Sequence, residues 1–162
     1  MRIDKNNYYL DIAESVLERS TCLRRNYGAV IVKNDEIVST GYNGAPRGRA
    51  NCIDLKKCMR EELNVPSGKQ YELCRSVHAE QNAIISAARK DLIDSTLYLV
   101  GKESKNGEYT KYNRPCTMCT RFIINAGINK LVIRDDKKNY HIIDVKEFIE
   151  NDDTLPGEDL WK

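Results

Sequence analysis

The stretch PCTMCTRFIINAGINKLVIR, residues 115–134, decides the fold. Residues 115–128 read as a helix, with Pro115 near the first turn and Gly127 near the end. Proline lacks the N–H that a first turn leaves unused, and glycine tolerates the left-handed cap. KLVIR (130–134) follows as a strand, and TLYLV (96–100) precedes as another. Strand, helix and strand in that order predict a parallel pair joined by a crossover. Further upstream, HAEQNAIISAARK (78–90) reads as a helix with Ala79, Ala83, Ile84 and Ala87 facing a sheet. YGAVIVK (27–33) and EIVSTGY (36–42), separated by Asn34 and Asp35, read as a hairpin. Residues 6–20 space Leu10, Ala13, Val16 and Leu17 as one apolar helical stripe. Downstream, YHIIDV (140–145) is a strand before a short helix, VKEFIE. The order predicts an α/β protein: a mixed sheet of about five strands with helices on both faces, an α/β/α sandwich of three layers.

Composition narrows the function. A length of 162 residues fits one domain over 1–162, and an apolar fraction of 41% with 31% charged residues fits a soluble globular protein. A net charge of +2 argues against nucleic acid or an anionic membrane as principal partner. The charged first residues do not read as a secretory signal, and no run of about 18 apolar residues suggests a membrane span. A cytoplasmic protein is therefore expected, and its six cysteines are expected as thiols or metal ligands.

Cys116 and Cys119 form a C-x-x-C at one helix start, and His78 opens another helix. If both helices follow strands that run the same way, their N-termini meet at one sheet edge. Two thiolates and an imidazole then give three zinc ligands, leaving the fourth tetrahedral position to water. A redox C-x-x-C is the alternative. Glu80 lies about 200° around the helix from His78, so the two do not grip one metal from one face. They can flank a bound water. Taken alone, Glu80 is only a first-turn carboxylate that suits the helix dipole.

HAE (78–80) with PCTMC (115–119) resembles the H-x-E … P-C-x-x-C signature of the zinc-dependent cytidine and deoxycytidylate deaminases. GAVIV (28–32), GYNGAPRG (41–48), SVHAEQNAII (76–85) and INAGI (124–128) look like the deoxycytidylate branch, and the resemblance covers most of residues 8–134. It implies a cytidine-deaminase-like sandwich, zinc held by His78, Cys116 and Cys119, and Glu80 as proton shuttle. In that chemistry zinc lowers the pKa of its water towards ~7. Glu80 carries the proton to ring N3, hydroxide attacks C4, and dCMP becomes dUMP and ammonia for thymidylate synthesis.

Cys22, Cys52, Cys58 and Cys74 remain, three of them in the aperiodic segment 43–77, expected as a loop insertion. They read either as small buried hydrophobes or as a closed structural zinc site that fixes this segment. The resemblance supports the second zinc best at Cys22 and Cys52; at the other two positions family members vary between cysteine and histidine. It also makes Asn43 and Ala79 substrate contacts. Arg24, Arg25, Arg47 and Arg49 are candidates for phosphate or simply solvated charges. GKESKNGEYTKYNR (101–114) is longer than the family's usual connection, and Tyr109 or Tyr112 in it is a candidate stacking or phosphate-contacting group. Gly44 and Gly48 are expected to supply backbone freedom, and His141 is given no role. The resemblance further implies a homo-oligomer, commonly a hexamer, with dCTP and dTTP as effectors. The competing readings are a related deaminase acting on cytidine, a modified pyrimidine nucleotide or tRNA adenosine, and a non-catalytic zinc protein.

Overall fold

The computed structural model describes residues 1–151; residues 152–162 of the expected domain lie outside the described residues. The strands are β1 (Arg25–Lys33), β2 (Glu36–Tyr42), β3 (Thr96–Glu103), β4 (Lys130–Arg134) and β5 (Tyr140–Asp144). The helices are α1 (Lys5–Leu17), α2 (Cys52–Leu55), α3 (Met59–Glu62), α4 (Ala79–Ile85), α5 (Arg89–Leu92), α6 (Thr117–Ala126) and α7 (Val145–Glu150). Asn34 and Asp35 close the β1–β2 hairpin at φ 51° and 64°. Both are left-handed, the geometry that matches strand twist in a two-residue turn.

The strands form one five-stranded sheet in the order β2-β1-β3-β4-β5. The β3–β4 pair is parallel and the others are antiparallel. Side-chain alternation divides the core in two. Val30, Val32, Tyr98, Val100 and Val132 face Tyr9, Leu10, Ala13 and Leu17 of α1. Ala29, Ile31, Leu97, Leu99, Leu131 and Ile133 face the opposite layer, with Ala79 and Ala83 of α4, Ile123 of α6 and Phe148 of α7. A run buried on both faces, as in β1, is what a central strand between two helix layers requires.

The pairings also fix direction. β2 and β3 are each antiparallel to β1, so β2, β3 and β4 run the same way. The chain therefore leaves β2 and β3 at one sheet edge, where α4 and α6 begin. Gly41 sets how closely α4 lies on β2: a Cβ there would overlap Ala79 O and Ala83 N. Only glycine permits that approach.

Three expectations change. The helix expected over 78–90 stops at Ile85 and resumes as the single turn α5. Ala88 takes extended backbone, ψ 144°, as the N-cap of α5, which breaks the helical path, and Leu92 beyond it is drawn into the core. Strand β3 runs on to Glu103, and the 101–114 segment folds back along it through a Lys102–Tyr109 bridge. Segment 43–77 is not aperiodic coil, because it holds α2, α3 and a 3-10 turn at Tyr71–Leu73. Single turns are too short to show a period. The segment's ends are tied by Gly44 N to Val77 O at 3.2 Å and Val77 N to Gly44 O at 2.8 Å. Arg60, only 4% exposed, braces its interior, donating to Pro66 O, Lys69 O and Gln70 O at 2.6–2.9 Å.

Candidate active site

His78 is the N-cap of α4, and its N–H donates to Gln81 Oε1 at 2.9 Å. Cys116 is the N-cap of α6, its sulfur accepting from Cys119 N at 3.4 Å. Two caps on neighbouring helices thus place three ligand atoms together. His78 Nδ1 lies 3.5 Å from Cys116 Sγ and 3.3 Å from Cys119 Sγ. Among the described residues, these three form the group whose ligand atoms all lie within 4.8 Å of one another. Mutual hydrogen bonding with Cys119, helped by His78, pulls the Cys116 thiol well below its ordinary range. The same contact with Cys116, together with burial, pushes Cys119 up. Burial works against a charged His78, but hydrogen bonds with Cys116 and Cys74 lift it to about 10. The Tyr71 ring meets the imidazole edge to face at 5.3 Å, and Arg60 lies over Tyr71 at 4.4 Å.

Soft sulfur and borderline imidazole donors in a compact set of three fit zinc with one open position. Glu80 sits beside them, 6% exposed, and burial pushes its carboxyl up. The site opens into a pocket lined by His78, Ala79, Glu80 and Cys116, with walls from β1, the 43–77 segment and the 101–114 return.

The remaining expected residues separate. Arg24 and Arg25 line the pocket, paired with Glu61 at 3.4 Å and Glu103 at 2.9 Å respectively. Arg47 and Arg49 are exposed and are not among the lining residues, so the loop turns these two away. Asn43 lines the pocket, yet its amide mostly ties down the scaffold. Its Oδ1 accepts from Ser20 Oγ at 2.6 Å and Tyr27 N at 2.8 Å, and its Nδ2 donates to Arg25 O at 2.8 Å. Tyr112 stands at the rim, 96% exposed and at φ 53°. Tyr109 is not among the lining residues; its hydroxyl donates to Glu14 Oε2 at 2.8 Å. Gly48 does take positive φ, at 83°, whereas Gly44 is needed for space: a Cβ there would lie 2.8 Å from Thr21 Oγ1. His141 pairs with Asp135 at 2.7 Å on β5.

Cys22, Cys58 and Cys74 share the pocket wall, with Cys52 buried behind them. Burial raises the Cys52 thiol, and the charges of Cys22, Cys74 and Cys58 raise it further. The four are gathered, though less closely than the His78 set. Arg60, Lys111, Asn113 and Arg114 also line the pocket and escaped the sequence reading. Arg60 sits in the single turn α3 and the other three in an irregular segment, too short or too irregular for periodicity to give a side chain direction.

The fold and the site together define a class, an α/β protein with a zinc-fitting His/Cys/Cys set between two helix starts beside a buried glutamate. The family described as Cytidine and deoxycytidylate deaminase zinc-binding region matches residues 3–134, and the chain belongs to it. Within that family it is similar to the deoxycytidylate deaminase of Mycobacterium phage D29, 38% identical over 135 residues, covering 81% of this chain and 94% of that protein. It is 30% identical over 127 residues to the deoxycytidylate deaminase of Schizosaccharomyces pombe, covering 78% of this chain but 36% of the yeast protein. Among solved structures, the dCMP deaminase from cyanophage S-TIM5 in complex with dCMP and dUMP superposes with a TM-score of 0.57 at 26% identity. That match covers 84% of this chain and 85% of the other. No helix of the described residues is long and apolar enough to cross a membrane.

Proposed function

We propose that the chain is a dCMP deaminase, turning dCMP and water into dUMP and ammonia. The observation that carries the reading is Glu80 buried against the His78, Cys116 and Cys119 set. A purely structural zinc site has no use for that carboxyl. When bound, zinc supplies the Lewis acidity that makes water a usable nucleophile at neutral pH. Glu80 holds a proton, and burial favours its keeping one, so it can protonate ring N3 and later the leaving amino group. The C4–O bond forms first. Glu80, having given its proton to N3, takes the proton left on the attacking oxygen and passes it to the amino group, and the C4–N bond then breaks to release ammonia. Tyr71 keeps the His78 ring from turning. Ala79 opens α4 with an N–H that the helix leaves free for substrate.

The similarity to dCMP deaminases and the pocket position of Arg24 and Arg25 support a 5′-phosphate contact. A charge-assisted hydrogen bond contributes ~1.5–3 kcal/mol, so two such contacts favour dCMP over deoxycytidine by about a thousandfold in kcat/KM. An ultraviolet assay across cytosine nucleosides and nucleotides tests this, with Arg24→Ala expected to slow dCMP turnover and spare deoxycytidine. Equal use of dCMP and deoxycytidine by the wild type would remove the phosphate contact. Turnover of neither would remove the reading. The proposal includes a second, structural zinc at Cys22, Cys52, Cys58 and Cys74, supported by three of them sharing one wall and by the charge influence of those three on the buried Cys52. It also includes a single catalytic domain and, on the family resemblance alone, a cytoplasmic homo-oligomer, commonly a hexamer in that family, activated by dCTP and inhibited by dTTP.

A further inference from the structure

Asn113 is 5% exposed, lines the pocket that holds Glu80 and His78, and is a polar side chain without a task. Among the described residues, neither its Oδ1 nor its Nδ2 has a hydrogen-bond partner. Folded chains rarely leave both ends of a buried amide unmatched, because each group gives up its water for nothing. Such exceptions cluster at functional sites.

The surroundings hold Asn113 in place. On one side Thr110 N donates to Gly101 O at 3.0 Å, fixing the return against β3. On the other, Arg114 lies over the Phe148 ring at 5.6 Å and Cys116 caps α6. The carboxamide is therefore presented from a chain fixed at both ends, close in sequence to the Cys116 ligand. It is neutral and offers both donors and an acceptor. A phosphate calls for cations, which Arg24, Arg25, Lys111 and Arg114 bring to the pocket lining, whereas the Asn113 carboxamide adds no charge. A pyrimidine edge, with exocyclic amino and carbonyl groups side by side, calls for a donor and an acceptor together.

We infer that Asn113 is a substrate-recognising residue whose carboxamide hydrogen-bonds the polar edge of the pyrimidine base. This rests on the deaminase reading above. It adds a residue from the 101–114 return, so the insertion contributes directly to base selection.

The test compares wild type, Asn113→Leu and Asn113→Ala as zinc-loaded full chains. Each is measured for zinc content, for Tm without nucleotide, and for kcat/KM on dCMP and deoxycytidine. Zinc content should hold, and Asn113→Leu should keep or raise the Tm of the free protein, because an apolar side chain of similar shape removes two unmatched polar groups. Turnover should fall roughly ten- to hundredfold, as expected when a hydrogen bond is lost and its partner left bare. The same factor should apply to dCMP and deoxycytidine, since both carry the base. Turnover within twofold of wild type overturns the inference, as does a loss confined to dCMP, which marks a phosphate contact. Failure of both variants to fold or to keep zinc also overturns it, since Asn113 would then be structural. A wild type inert on every cytosine substrate removes the deaminase reading itself, and is recognised before any variant is compared.

Discussion

Glu80 shows how much one residue depends on its neighbours. A glutamate in a first helical turn is ordinary, and its value to the dipole is a few tenths of a kcal/mol to about 1. Here the side chain is buried beside Cys119 and His78, and burial pushes its carboxyl up. Glu80→Gln keeps the shape and removes the proton carrier. Deamination of dCMP should fall by ~10²–10⁴ or more, with zinc per chain unchanged. Turnover near the wild-type rate, measured on protein of equal zinc content, would exclude Glu80 as the acid–base. His78, Glu80, Cys116 and Cys119 were legible in the sequence because each stands at a helix start in a fixed short spacing. Asn113 and Arg60 were not, since neither an irregular segment nor a single helical turn shows which way a side chain points.

At the scale of elements, the 101–114 return depends on α1. Lys102 pairs with Glu14, Tyr109 donates to Glu14 Oε2 at 2.8 Å, and Arg134, 1% exposed, reaches Glu14 at 3.2 Å and Asp11 at 2.8 Å. Burial would raise the Glu14 carboxyl, but the Lys102 and Tyr109 hydrogen bonds outweigh it and hold it below its ordinary 4.5. A folded-state pKa below the unfolded one gives stability that is present above 4.5 and lost as the pH falls through the folded value. Glu14→Gln should therefore lower Tm at pH 7, with the gap to wild type closing in acid below the ordinary glutamate range. A gap unchanged between neutral and acid pH in thermal melts would show that the charge of Glu14 does nothing for the fold. Tyr109 is a candidate substrate contact by its place in the long 101–114 connection, but the pairing of Lys102 with Tyr109 turns it to α1 instead.

For the whole molecule, the 43–77 segment is a long part with little apolar anchorage against the sheet. Its ends are tied at Gly44 and Val77, and Arg60 braces its middle, but few large apolar side chains anchor it. With a second zinc, metal analysis after reducing purification should give about two ions per chain. Cys52→Ser should then remove about one and speed proteolysis within 43–77, while dCMP turnover per remaining zinc persists. One zinc per wild-type chain would return these four cysteines to packing.

The sequence by itself determined the alternation of strands and helices, the hairpin at Asn34 and Asp35, and the residues at the two helix starts. Those features are local: β-branched runs, turn residues and caps act over a few positions, so the chain spells them out. Tertiary structure alone decided that β2 and β3 run the same way, which brings His78 to within 3.5 Å of Cys116 and 3.3 Å of Cys119. It also decided where the helix after His78 stops, which arginines face the pocket, and that Asn113 is buried without a hydrogen-bond partner among the described residues. Each of these depends on contacts between residues far apart in the chain. Packing one helix on a sheet settles them together, and no short window of sequence contains both partners.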